Sequence, residues 1–203
     1  KAPIINYKTR FLPEIGKNGM VVGPEKLAAE IGLSILKDGG NAIDAAVATG
    51  FALAVTYPRA GNLGGGGFML IHLQNENQQT LIDYRETAPL GAQSDMFLDE
   101  SGKVDRSRIY FSHLAAGVPG TVAGLLLALE QYGSLPMEVV IKPAIKLALE
   151  GFPVSYALNY EINSRAKRLA ENPAAAKLFL TSEKSAPPIG SIFKQGELAN
   201  TLT

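Results

Sequence analysis

The chain has 203 residues, of which 46% are hydrophobic and 19% charged, enough apolar material for one sizeable core. Nineteen basic and nineteen acidic side chains cancel, which argues against a nucleic-acid groove or a patch for anionic membranes. The lack of cysteine excludes disulfides, thiolate metal sites and a cysteine nucleophile.

Residues 1–19 mix polar and aromatic side chains without periodicity and read as an irregular arm. The start at Lys1 rather than methionine fits removal of a signal peptide or a trimmed chain. Residues 20–23 read as a short strand. Pro24 then suits a first helical position, and Leu27, Ile31, Ile35 and Leu36 recur at helical spacing until Gly39 and Gly40 end the helix. Asn41 is the natural N-cap of a second helix running to about residue 57, with Asp44 near its positive end. That helix has almost no polar face and is expected to be buried. No stretch here or elsewhere offers the roughly eighteen uncharged apolar residues of a membrane span.

Residues 61–68, Gly-Asn-Leu-Gly-Gly-Gly-Gly-Phe, hold four consecutive glycines. Such a run is costly to order, so a close approach of backbone to ligand or to neighbouring elements is expected. Phosphate cradles put their glycines after a strand and before a helix, whereas here a helix precedes and a strand follows. Gly67 is followed by Phe68 and Met69, not by the Lys and Ser/Thr of a P-loop, so a nucleotide site is disfavoured. Residues 68–73 read as a buried strand and residues 80–84 as its partner, joined by the polar connector 74–79.

Residues 90–107 are polar and turn-rich and lead to Gly117-Val118-Pro119-Gly120. Helices are expected over 121–132, stopped by Gly133, over 137–150, stopped by Gly151, and over 155–171. The segment 172–196, rich in Pro, Ser and Lys, reads as partly exposed turns, and 197–203 as the first turns of a helix cut short. A chain that stops while starting an element is expected to be part of a larger functional unit.

A serine or threonine nucleophile of the usual triad needs a base, and the only histidines are His72 and His113. His72 alternates with Ile71 and Leu73 in mid-strand and reads as structural, and His113 precedes a glycine-rich turn. Two histidines without a carboxylate pattern make a poor metal site, so neither zinc nor another cofactor is expected. Arg85 has the most functional address: it ends an apolar strand just before Glu86-Thr87-Ala88-Pro89, where its planar fork can face a cleft and take a carboxylate bidentately. Read from the local pattern alone, an ordinary ion pair with Glu86 or Asp83 is the better account of it.

Four blocks in order, 39–48 (Gly-Gly-Asn-Ala-Ile-Asp-Ala-Ala-Val-Ala), the glycine run, 83–89 (Asp-Tyr-Arg-Glu-Thr-Ala-Pro) and 117–124 (Gly-Val-Pro-Gly-Thr-Val-Ala-Gly), closely resemble the N-terminal half of the large subunit of gamma-glutamyltranspeptidases. Residues 144–148 and 151–152 extend the match, which covers the chain from about Gly19 onward.

That resemblance implies an α+β fold, the αββα sandwich of N-terminal nucleophile hydrolases, with residues 1–203 as the large-subunit portion of a single domain. It implies a precursor that cuts itself into two subunits, the new N-terminal threonine of the small subunit being the nucleophile and its α-amine the base. This chain then holds no catalytic residue, no metal and no cofactor. Its one implied substrate contact is Arg85, pairing with the α-carboxylate of glutathione or another γ-glutamyl donor. The implied partners are the small subunit and an amino-acid or peptide acceptor, the implied place the periplasm or the extracellular space. In this light the glycine run permits close packing of helix and sheet beneath the site. A paralogous glutaryl or cephalosporin acylase, a poly-γ-glutamate transferase and a non-catalytic binding module are the alternatives.

Overall fold

The computed structural model describes residues 15–203, so most of the expected arm, residues 1–14, lies outside it. Helix α1 (Lys26–Lys37) is capped by Glu25, whose carboxylate accepts the Leu27 N–H at 2.8 Å. Pro24 therefore stands ahead of the cap instead of opening the helix. Helix α2 (Ala42–Thr56) starts as expected at Asn41, in a full capping box with Asp44. It is the axis of the molecule, packed against α1, α4 (Thr121–Tyr132) and α5 (Met137–Glu150). Phe51, Val47 and Val55 of α2 and Val140 of α5 are fully enclosed. Within α2 the hydroxyls of Thr49 and Thr56 donate to the carbonyls one turn back, at 2.7 and 3.0 Å, which lets polar side chains sit in an apolar helix.

Strands β1 (Phe68–Leu73) and β2 (Gln78–Asp83) form an antiparallel hairpin in which Leu70 faces Leu81 and Ile71 faces Thr80. The expectation of a buried strand is corrected here. Ile71 and Ile82 turn inward to the helices, but Phe68, Leu70 and Leu81 stand on the other face, 57, 75 and 59% exposed. A continuous apolar run is the mark of a strand covered on both sides, and among the described residues only one side has a cover. Residues 20–23 form no strand: no segment among the described residues pairs with them, and a strand needs a ladder.

Helices α4 and α5 end at Gly133 and Gly151 as read, the latter at φ 85°. A two-residue strand β3 (Phe152–Pro153) pairs with β4 (Ile192–Phe193), bringing the rings of Phe152 and Phe193 edge to face at 5.8 Å. Helix α6 (Tyr156–Leu169) is capped by Ser155, and α8 (Gly196–Leu202) packs on α5. Two short helices are not expected from the sequence: α3 (Arg106–Phe111), capped by Asp105, which starts at the end of the turn-rich segment and runs into residues given no element, and α7 (Pro173–Phe179), capped by Asn172 with proline in its first turn, inside the segment read as turns. The polar composition around both masked sound capping signals.

Candidate functional site

Three of the four sequence blocks meet in space. The hairpin ladder runs one rung past its strands, since Tyr84 and Gly67 exchange backbone hydrogen bonds at 3.0 and 3.3 Å. On the far side, Thr87 and Val118 exchange another pair at 3.3 and 2.9 Å. The Gly65 carbonyl closes the triangle, accepting the N–H groups of Gly120 and Thr121 at 2.9 and 3.0 Å, at the N-terminus of α4. Segment 83–89 is thus threaded between the glycine run and the loop 117–120.

Lack of side chains makes this threading possible. A Cβ on Gly66 would stand 2.6 Å from the Tyr84 carbonyl oxygen and 2.7 Å from the Glu86 nitrogen, and one on Gly117 2.9 Å from the Glu86 Cβ. The packing role expected for the glycine run is what the geometry displays. The phenol of Tyr84 is half-buried in this cage, and burial pushes its pKa up.

Arg85 follows immediately. Its backbone N–H donates to Asp83 Oδ1 at 3.0 Å, and its Nε donates to Glu86 Oε2 at 3.0 Å. The Glu86 carboxyl is held below its ordinary range, first by its own backbone N–H, against some desolvation, with the Arg85 guanidinium and the Gly66 N–H adding to the effect. The Arg85 side chain is 68% exposed, so this pair contributes little to stability. The local ion pair is formed with Glu86, which takes the inner edge of the guanidinium, and the two terminal nitrogens have no partner among the described residues. Arg85 and Glu86 line an open cleft of about 390 Å³, together with Pro89, Met96, Phe97 and Leu114. A planar cation with a free fork above an apolar wall is suited to the carboxylate of a small organic anion.

The fourth block does different work. Asp44 is wholly buried and accepts the Ser134 hydroxyl at 2.6 Å and the N–H groups of Asn41, Ser134 and Leu135 at 2.7, 2.9 and 3.2 Å. Burial by itself would raise its pKa, but these four donors outweigh it and hold the carboxyl below the ordinary value of 3.8. Asn41 Nδ2 donates to the Tyr132 carbonyl at 2.7 Å, so the pair clamps the α4–α5 turn onto the start of α2. Sequence reading took Asn41 as a cap and Asp44 as a charge near the positive helix end, and missed this second grip; an acid in a helix with almost no polar face was the only signal for it. His72 lies on the open hairpin face with Nε2 3.0 Å from Gln74 Oε1, and His113 in a 3-10 turn. Neither stands in a cluster that could hold a metal ion among the described residues.

The described elements are part of an αββα sandwich of the N-terminal nucleophile hydrolase type, one helical layer with a single hairpin against it. The chain belongs to the gamma-glutamyltranspeptidase family: the model of that family, described as "Gamma-glutamyltranspeptidase", matches residues 28–203. The chain is 47% identical to a glutathione hydrolase proenzyme of Escherichia coli over 204 aligned positions, covering 99% of this chain and 35% of that protein. Among solved structures, the gamma-glutamyltranspeptidase of Helicobacter pylori superposes with a TM-score of 0.90 at 43% identity, over 94% of this chain and 54% of that one. A cephalosporin acylase from Bacillus halodurans superposes with a TM-score of 0.77 at 26% identity, over 98% of this chain and 38% of that one. The chain therefore spans about a third of the length of the curated relative and about half of the first of these solved chains.

Proposed function

We propose that the protein of which this chain is part hydrolyses or transfers the γ-glutamyl group of glutathione and other γ-glutamyl amides, and that this chain supplies the donor's carboxylate contact through Arg85. The observation that carries the reading is the free guanidinium fork at the cleft, in the block 83–89 by which the chain resembles the family. The nucleophile is a threonine outside this chain, at the new N-terminus of a small subunit released when the precursor cuts itself. Its hydroxyl attacks the γ-amide carbon, its α-amine takes the proton and passes it to the departing amine, and water or an acceptor amino acid or peptide then resolves the acyl-enzyme. The exposed apolar face of Phe68, Leu70 and Leu81 supports a partner layer over the hairpin and weighs against a self-sufficient binding module. No helix among the described residues is long and apolar enough to cross a membrane. The family resemblance alone is the ground for placing the protein's work in the periplasm or outside the cell.

Once bound donor and small subunit close over the cleft, removing one member of the charge pair typically costs about 2 to 5 kcal/mol. Full-length Arg85→Ala enzyme is therefore expected to show a KM for γ-glutamyl donors raised about thirtyfold or more, with Arg85→Lys in between. An unchanged KM overturns the assignment. The likeness to a cephalosporin acylase favours one second reading, in which the same fork takes a glutaryl carboxylate. Relative rates on γ-glutamyl and glutaryl anilides separate the two.

A further inference from the structure

We infer that Tyr84, through the glycines packed around it, is the positioning residue that aims Arg85 at the donor; the inference rests on the reading of Arg85 given above. Among the described residues the Arg85 side chain has one partner, Glu86, and an exposed ion pair fixes a flexible side chain weakly. The direction of the guanidinium must then come from the backbone beneath it. That backbone is pinned at residue 84 by the two hydrogen bonds to Gly67, the last rung of the ladder. The Tyr84 ring is held at both ends. A Cβ on Gly67 would stand 3.0 to 3.1 Å from its outer edge, and one on Gly124, inside α4, would overlap its inner atoms. The Tyr84 carbonyl is equally close-packed, against Gly66 and Gly120.

Glycine in a helix interior costs about 1 kcal/mol relative to alanine. At position 124 the return is that α4 comes flush against the ring, leaving the segment 83–86 a single place to lie. Adding one methyl group there displaces the ring, and with it the start of the Arg85 side chain. Displacements near 1 Å are enough to lose up to about a hundredfold in a positioned contact. Such a loss falls on donor binding, because no atom of Tyr84 is asked to take part in the chemistry.

The test uses the full-length, processed enzyme and two competitive inhibitors that differ only in the α-carboxylate, L-glutamate and 4-aminobutyrate, with KM and kcat measured on a γ-glutamyl anilide. Gly124→Ala and Tyr84→Ala should each reduce the preference for glutamate about tenfold or more, raise KM and leave kcat within about threefold. Tyr84→Phe, which keeps the ring, should retain the preference. If Gly124→Ala fails to mature, Gly67→Ala, which asks the ring to move only a few tenths of an ångström, carries the same readout in a smaller degree. A preference unchanged in these variants, or a fall in kcat with KM intact, overturns the inference. Arg85→Ala separates the two levels. If it abolishes the preference while the Tyr84 and glycine variants keep it, the contact stands and the positioning role falls. If Arg85→Ala itself keeps the preference, the contact was wrong.

Discussion

The two ends of α2 contrast with the hairpin and its Arg85 turn. At the start of α2, Asp44 is buried and Asn41 half-buried, every carboxylate oxygen is used, and the α4–α5 turn is locked in place. At its other end, Gln195 Nε2 donates to the Val55 carbonyl at 2.7 Å, tying the chain before α8 to the same helix. Among the described residues, the hairpin has one covered face, one open apolar face and a cation whose two terminal nitrogens have no partner. Satisfied polar groups in a dry interior stabilise and specify; an unsatisfied cation at a lip is free to bind. The difference separates residues that hold the fold from residues that meet something outside it.

The sharpest way to break the comparison is Asp44→Ala. It leaves four donors unpaired in the interior, and unfolding of the full-length protein should show a loss of about 3 to 5 kcal/mol, the range for removing one member of a buried charged network. A loss below about 1 kcal/mol would mean that the clamp is ornamental.

Next comes acid. Since the folded Asp44 carboxyl titrates below 3.8, its contribution is fully present above that value and is lost as pH falls from there through the lower folded value. The urea midpoint should therefore hold steady down to about pH 4 and drop as pH falls below 3.8, and Asp44→Asn should drop less than the parent. Equal slopes would assign the acid loss to other carboxylates.

Asn41→Ala removes the cap and the bond to the Tyr132 carbonyl and should cost about 1 to 2 kcal/mol, read by thermal unfolding.

At the small end, Leu70→Ser and Arg85→Ala should each change the stability of this portion by less than about 0.5 kcal/mol, as exposed substitutions do. Their effects belong elsewhere, in subunit association for Leu70 and in donor KM for Arg85. Intact masses of the denatured native preparation, with the N-terminal residue of each polypeptide, sharpen this last point. A co-purifying chain that begins with threonine is the expected cover of the open hairpin face; a lone species would remove it.

Much of the helical framework was legible. Asn41 with Asp44, Ser155, and the glycines at 133 and 151 mark helix ends by local chemistry, and the structure has helix ends there. The misses have physical causes. Asn172 followed by Pro173 is as good a start signal as Asn41, but seven residues in a Pro- and Ser-rich tail carry too little apolar periodicity to announce a helix. The strand expected over 20–23 had β-forming residues and no partner. Of the site, Arg85 was singled out by its address and by a resemblance, whereas Tyr84, its neighbour, gave no sign of its role.

By itself, then, the sequence determined where the helices begin and end, the apolar character of α2 and the strands of the hairpin, because caps, glycine stops and periodicity act over a few residues. Tertiary structure alone decided that Gly66, Tyr84 and Gly124 share one contact, that Asp44 grips a turn ninety residues away, and that one hairpin face stays open. Such contacts depend on the packing of distant segments, and a composition that reads as buried does not say which chain does the burying.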